Sequence, residues 1–225
     1  MTAQSPQPLS RTWSPRPAAT RTVPSTLWAA GTEPLDPGER WPMPIVSRAV
    51  SEFSYPGEQV LLLTWPAPAT RGPLTVLPPG TSSALAAIEA LDRTGRITAG
   101  NPGPDQAAEL VLASLLAPDT DPVLAADQVV DLAAARLAEG GLLVVLSRCG
   151  HSSEGVLCDP AGAVVAAAQA ADLLYLQHII AAPLHGDTVS IPAPGAPAPT
   201  PARHTVTHTD LFVFLRVEPT PAPQP

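Results

Sequence analysis

Pro56-Gly57-Glu58-Gln59-Val60-Leu61-Leu62-Leu63-Thr64-Trp65-Pro66-Ala67-Pro68 reads as a turn, an apolar strand and a loop. The Pro-Gly pair punctuates the chain. The run that follows is apolar at successive positions, so both of its faces are buried, as in a parallel sheet covered on two sides. A strand that feeds a glycine loop is the usual entry to a nucleotide-type pocket in an α/β fold. Here the two loop positions that matter hold Pro66 and Pro68. Proline fixes φ near about −65° and has no N–H. It can neither take the positive φ that glycine allows nor donate a backbone hydrogen bond to a ligand. The stretch predicts a nucleotide-pocket scaffold whose loop chemistry has been removed.

On either side of this stretch the pattern is regular. Ile45, Val46, Ala49, Val50 and Phe53 recur at helical spacing, which predicts a short amphipathic helix over 43–54. Leu74–Leu77 reads as a second strand, stopped by Pro78-Pro79-Gly80. Ser82 or Ser83 is placed to cap a helix through Leu91. Arg96–Ala99 reads as a third strand and Glu109–Ser114 as a fourth. Asp121 or Pro122 opens a helix through Ala138, capped by Gly140-Gly141, ahead of a fifth strand, Leu142–Leu146. An alanine-rich helix over 161–173 follows, with Asp159-Pro160 as its cap and first turn. Leu174–Pro183 and Leu211–Val217 read as an antiparallel hairpin interrupted by the 184–208 loop. Five strands alternating with helices predict a mostly parallel α/β sheet with helices on both faces and an antiparallel hairpin at the end.

Proline accounts for 30 of the 225 residues and is concentrated in 1–24, 192–202 and the last seven positions. Such segments bury too little apolar surface to offset ordering entropy, so disordered tails are expected at 1–24 and 218–225 around one domain over 25–217. The 12 basic residues are all Arg, and net charge is −8. Arg11, Arg16 and Arg21 face no acid within the first 32 residues, which leaves the remainder near −11 (9 Arg against 20 acids). An acidic body is poorly matched to a phosphate backbone, which argues against nucleic-acid binding. Two cysteines imply no disulfide framework. No apolar run reaches the ~18 residues of a membrane span and no signal pattern opens the chain, so a cytoplasmic protein is expected.

Leu137-Ala138-Glu139-Gly140-Gly141-Leu142-Leu143-Val144-Val145 and Gly155-Val156-Leu157-Cys158-Asp159-Pro160-Ala161-Gly162-Ala163-Val164-Val165-Ala166-Ala167 carry a specific likeness. Together with Thr26-Leu27-Trp28 and Asp210-Leu211-Phe212-Val213-Phe214 they resemble amino-directed DNA methyltransferase-like proteins of high-GC Gram-positive bacteria. The resemblance spans about 25–217 and implies a Rossmann-like, S-adenosylmethionine-dependent methyltransferase fold. It also implies four stations, and each is depleted here. Strand one of that family ends in Asp-Pro-x-x-Gly-x-Gly; the matching positions are Leu62-Leu63-Thr64-Trp65-Pro66-Ala67-Pro68. The ribose-binding acid after strand two matches Leu77, and the adenine-binding Asp of Gly-Asp-Ala matches Asn101. The Ser-Pro-Pro-Tyr that holds the target amine after strand four matches Ser114-Leu115-Leu116-Ala117. Leucine binds no hydroxyl, and Leu-Leu-Ala offers no ring for a flipped base. Two or three lost charged hydrogen bonds, at ~1.5–3 kcal/mol each, weaken binding by ~10³-fold or more.

Other constellations carry little chemistry. Cys149, His151 and Cys158 match no zinc spacing, and His204 and His208 have no helix to align them, so no metal is expected. No Gly-x-Ser-x-Gly elbow surrounds Ser147, Ser152, Ser153 or Ser190. Trp65 plugs the former loop, anchors a partner or packs in the core; Trp28 and Trp41 pin the N-terminal segment to the body. These readings lead to a catalytically degenerate, methyltransferase-like binding or assembly module with a protein partner, no cofactor and no catalytic residue. The alternative is an S-adenosylmethionine-dependent enzyme with a rebuilt pocket, acting on a small molecule, a protein or nucleic acid.

Overall fold

The computed structural model describes residues 26–67, 69–71, 74–98, 107–118, 120–151, 154–191 and 206–217. Seven strands form one sheet: β1 (Leu27–Ala29), β2 (Gln59–Thr64), β3 (Thr94–Ile97), β4 (Ala108–Ser114), β5 (Leu137–Ser147), β6 (Leu173–Ala182) and β7 (Thr209–Arg216). Their order is β1-β6-β7-β5-β4-β2-β3. The run β3-β2-β4-β5 is parallel. β7 inserts antiparallel between β5 and β6, and β1 joins β6 in parallel. This is a Rossmann-like, methyltransferase-type α/β fold with the expected antiparallel hairpin at its end.

Helices α1 (Met43–Phe53) and α2 (Thr81–Ala90) cover one face, and α3 (Pro122–Ala134) and α4 (Ala161–Ala170) cover the other. The central runs Val60–Leu63, Leu110–Ala113 and Leu142–Leu146 are apolar at successive positions because both faces are covered. Val60, Leu62, Leu110, Leu112, Val144 and Leu146 pack under α1 and α2. Leu61, Leu63, Val111, Leu143 and Val145 pack under α3 and α4. Each fully buried aliphatic side chain contributes ~1.5–3 kcal/mol. Trp28 and Trp41 are fully buried, and Trp28 stacks on Phe53 at 5.8 Å with Arg48 over its ring, so the N-terminal segment is pinned as expected.

Several expectations need correction. Leu74–Val76 is a strand, but it pairs antiparallel with Ala69–Arg71 and stands outside the main sheet. The strand beside β2 is β3. Only nine residues separate Thr64 from Leu74, and a parallel crossover needs about a dozen or more, usually with a helix. β3 lies beyond α2 and satisfies that requirement. Ser82 and Ser83 lie inside α2, whose cap is Gly80 at φ 78° with no side-chain cap. Asp121 does cap α3, accepting from the N–H groups of Val123 and Leu124 at 2.9 and 3.2 Å. That helix ends at Ala134, not Ala138. Gly140 and Gly141 do not cap it; they sit in an irregularity of β5, whose register against β4 jumps from Leu137 to Leu142. Arg216 Nη1 donates instead to the carbonyls of Ala134 and Leu137, at 2.9 and 2.7 Å. The last helix stops at Ala170 rather than 173, and Asp159 accepts from the N–H of Ala161 at 2.9 Å.

Inside the expected 184–208 loop, Leu184–His185 pairs with Thr188–Val189 as a small hairpin. The tails at 1–24 and 218–225 and the proline-rich 192–202 segment lie outside the described residues. No helix among the described residues is long and apolar enough to cross a membrane.

Candidate functional site

In an open α/β sheet, ligands bind at the carboxyl ends of the parallel strands. Here those ends are polar. Thr64 closes β2, Ser114 closes β4 and Ser147 closes β5; all three are buried. Thr64 and Ser114 are register partners and, like the alternate residues before them, face the α1 side.

The segment Leu35–Trp41 lies across this row as a strap, with Leu35 and Trp41 both buried. Ser114 is 0% exposed, and its Oγ donates to the Arg40 carbonyl at 2.7 Å while accepting from the Leu116 N–H at 3.3 Å. Arg40 Nη1 donates to the Trp65 carbonyl at 3.1 Å, and Thr120 Oγ1 donates to the same oxygen at 3.4 Å. Farther along the edge, Arg148 Nε donates to Thr209 Oγ1 at 3.0 Å, and its Nη1 donates to the carbonyls of Asp36 and Pro37 at 3.0 and 3.4 Å. Both arginines are held below their ordinary pKa by desolvation; for Arg148, the nearby Glu39 and Asp36 charges oppose that. Burial raises the Glu39 carboxyl, with a hydrogen bond from the Met43 backbone and the Arg148 charge acting against it.

The predicted positions separate on this frame. Leu62 is a core residue of β2, and its carbonyl accepts from Thr98 N at 3.1 Å and Thr98 Oγ1 at 3.3 Å. Trp65 packs partly buried against the α3/α4 side of the core, which is the packing role among the three weighed. The Trp65–Pro66 bond is cis. Leu77 follows the small hairpin, off the main sheet, so it is not the residue at the end of the strand beside β2. That place belongs to Thr98, whose hydroxyl is already committed to Leu62. Pro68 and Asn101 lie outside the described residues. Of the matched residues described, Thr64 and Ser114 stand in the row, and Ser114 is engaged with the chain's own backbone.

Sequence reasoning missed Arg40 and Arg148. The available signal was weak: each is a lone cation beside an apolar run, Arg40 before Trp41 and Arg148 directly after β5.

A second group lies on the α4 side of the same edge. His178 Nε2 is 2.8 Å from Asp210 Oδ1 and stacks on Phe212, with ring centroids 4.6 Å apart. His208 Nε2 is 3.6 Å from the same oxygen. Cys149 bonds Asp159; burial first, then the Asp159 and Asp210 charges, push its thiol up to about 11. That thiol is a poor nucleophile at neutral pH. Among the described residues no group of three His, Cys, Asp or Glu side chains is placed to hold a metal ion.

The residues at this edge do not fit S-adenosylmethionine at its ordinary stations. The residue directly after β3 is Thr98 rather than a carboxylate, and its hydroxyl is bonded to the Leu62 carbonyl. The group at the end of β4 is bonded to the strap.

No protein-family model matches the chain, and no curated protein matches it. Among solved structures it is similar to the N-methyltransferase NodS from Bradyrhizobium japonicum WM9, at 16% identity and TM-score 0.42, covering 81% of this chain and 98% of that one. It is similar to a SAM-dependent methyltransferase from Methanosarcina mazei, at 6% identity and TM-score 0.41, covering 75% and 96%. It is also similar to an O-methyltransferase family 2 protein from Planctomyces limnophilus DSM 3776, at 14% identity and TM-score 0.44, covering 77% of this chain and 57% of that one.

Proposed function

We propose that this protein is a catalytically silent, methyltransferase-like module that binds or assembles with a protein partner. The observation that supports this most is the bond from Ser114 to the Arg40 carbonyl. The hydroxyl that would face a substrate amine holds the chain's own strap, and Arg40 bridges from there to the carbonyl of Trp65, at the head of the former cofactor loop. Self-contacts of this kind compete with a methyl donor for the Ser114 hydroxyl and the Trp65 carbonyl. No catalytic residue, cofactor or metal is assigned. Net charge of −8 counts against a nucleic-acid substrate.

One observation favours the second reading, an S-adenosylmethionine-dependent methyltransferase with a rebuilt pocket. Thr64 Oγ1, Thr81 Oγ1 and Trp41 Nε1 are buried without a hydrogen-bond partner. Trp41 sits against Gly80, the residue before Thr81, and Thr64 is the register partner of Ser114. A buried polar group without a partner costs ~1–3 kcal/mol, so these three groups favour a polar guest beneath the strap.

Thermal unfolding separates the readings. A ligand at ~100 times its Kd stabilises by ~2.7 kcal/mol. No shift is expected with millimolar S-adenosylmethionine or its demethylated product, and no transfer of a labelled methyl group to small-molecule, protein or nucleic-acid acceptors. A clear shift with either compound, or any transfer, would replace the first reading with the second.

A further inference from the structure

Helix α2 starts at the carboxyl edge of the sheet, because it is the crossover between parallel β2 and β3. It is ten residues long, and no side chain caps it. The first four N–H groups of an α-helix have no partner inside it. Here Thr81 N donates to the Pro78 carbonyl at 3.2 Å and Ala84 N to the Gly80 carbonyl at 3.0 Å. That leaves the N–H groups of Ser82 and Ser83, and both residues are exposed. Gly80 before them is also exposed, at φ 78°. A left-handed residue beside right-handed ones gathers backbone N–H groups into an anion-binding concavity.

Two buried side chains add donors at the same place. Thr81 is 0% exposed and Trp41 1%, and neither Thr81 Oγ1 nor Trp41 Nε1 has a hydrogen-bond partner. Trp41 Cδ1, the ring carbon bonded to Nε1, lies 3.9 Å from where a Cβ on Gly80 would stand. The indole edge is therefore turned toward the start of the helix. An indole N–H only donates, so what this place lacks is an acceptor. Charge agrees with that. Residues 40–51 and 59–88, which supply Trp41, Thr64 and most of α2, hold Arg40, Arg48 and Arg71 and no Asp or Glu, in a chain with 20 acids. Glu39, next in sequence, accepts from the Met43 backbone and lies beside Arg148. The positive end of the α2 macrodipole adds to the same field.

We propose that the start of α2 binds a phosphoryl group, with the N–H groups of Ser82 and Ser83, the Thr81 hydroxyl and the Trp41 indole as its donors. Helix N-termini are ready-made sites for such anions. A phosphoryl group presents three oxygens in three directions, which suits donors drawn from a helix backbone, a hydroxyl and a ring on another segment. The two oxygens of a carboxylate lie in one plane. The group is carried by a small phosphorylated compound or is free phosphate. The inference goes beyond both functional readings. It shares the unpartnered Thr81 and Trp41 with the second, yet it needs neither S-adenosylmethionine nor methyl transfer.

The test uses the full chain, with inorganic phosphate and a glycerol phosphate as probes. Either should shift the Trp41 indole N–H and the Ser82 and Ser83 amide resonances saturably in NMR spectra, with a millimolar or lower Kd. Sodium chloride at equal ionic strength should leave them in place. The tighter of the two probes identifies the source of the group. Thr81→Val keeps the shape of the side chain, so it should fold as stably as the parent, and it should weaken binding about tenfold, as expected for losing a hydrogen bond to a charged group. Ser83→Asp puts a carboxylate in the first turn, so it should raise Tm in phosphate-free buffer and abolish binding. No saturable shift of these resonances with either probe would overturn the proposal. So would binding left unchanged by both variants. A Trp41 shift with S-adenosylmethionine and none with phosphate would overturn it in favour of the second reading, whereas a phosphate shift without any response to S-adenosylmethionine supports it and leaves the first reading standing.

Discussion

Ser114→Ala tests whether the strap is a structural closure. The hydroxyl is fully buried and serves two backbone groups, donating to the Arg40 carbonyl and accepting from the Leu116 N–H. Alanine leaves both without that partner. Each neutral hydrogen bond is worth ~0.5–1.5 kcal/mol net, and an abandoned buried group costs ~1–3 kcal/mol. The Leu116 bond is long at 3.3 Å and counts at the low end, so the expected loss is about 2 kcal/mol. For a domain of this size that lowers Tm by about 4–8 °C. Arg40→Met removes the bond to the Trp65 carbonyl while keeping most of the apolar stem, with an expected loss of about 1 kcal/mol because the side chain is partly solvated. The two losses should not add. Both act on one short segment, and once the strap is released by the first change the second has less left to break. The double variant should therefore lose less than the sum, with coupling of about 0.5 kcal/mol or more. Urea unfolding of the four proteins, compared at constant m-value, measures this. Strict additivity would show that the two contacts belong to unrelated features. A Ser114→Ala protein as stable as the parent, or more stable, would refute the closure and match a residue kept for chemistry at some cost in stability.

Cys149 should be nearly inert to alkylation at pH 8, since a thiol at about 11 is ionised to only ~10⁻³ there; a rate comparable to a free thiol, measured by mass spectrometry, would contradict its burial beside Asp159. Glu39→Gln should stabilise the protein at neutral pH. Burial raises the folded carboxyl above its ordinary 4.5, so the native state binds more protons and its stability falls as pH climbs through that value. The gain in Tm should be present at pH 7 and vanish below about pH 4, and a gain that persists in acid would assign it to something other than ionisation. Gly141→Ala should cost about 2 kcal/mol or more, because a Cβ there would meet the Ala138 carbonyl at 2.8 Å and the Glu109 carbonyl at 3.1 Å, both backbone atoms that cannot swing aside. Gly150→Ala, with nothing within 4 Å of the added carbon, is the matched control.

The sheet was readable because its strands are apolar on both faces, a pattern that only a doubly covered parallel core requires. Helix α1 was readable from its stripe of Ile45, Val46, Ala49, Val50 and Phe53, every one of which is buried. Helix ends were less readable. The arginine that caps α3 comes from β7, 82 residues away, and no local pattern points to it. The site was hidden for the same reason. Ser114 stood out only through its neighbours Leu115-Leu116-Ala117, while its partner is a backbone carbonyl 74 residues earlier, in a segment with no motif.

Chain length, however, did carry information about the emptied edge. The nine residues from Trp65 to Pro73 cannot cross over to a parallel strand, so Leu74–Val76 was barred from the place beside β2. Among the described residues the sheet has one strand, β3, beyond β2, and Leu74–Val76 is not part of it. Two of the four stations implied by the resemblance belong to strands two and three. With Leu74–Val76 displaced from the sheet, the strand-two station has no frame beside β2, whatever residue occupies it. Reverting the proline loop to glycine would therefore restore backbone freedom and donors after β2 without returning Leu74–Val76 to the sheet. Pro66→Gly with Pro68→Gly should leave S-adenosylmethionine without a measurable thermal shift. If that pair alone confers binding, the displaced strand is irrelevant, and the closure rests on the two prolines instead of the topology.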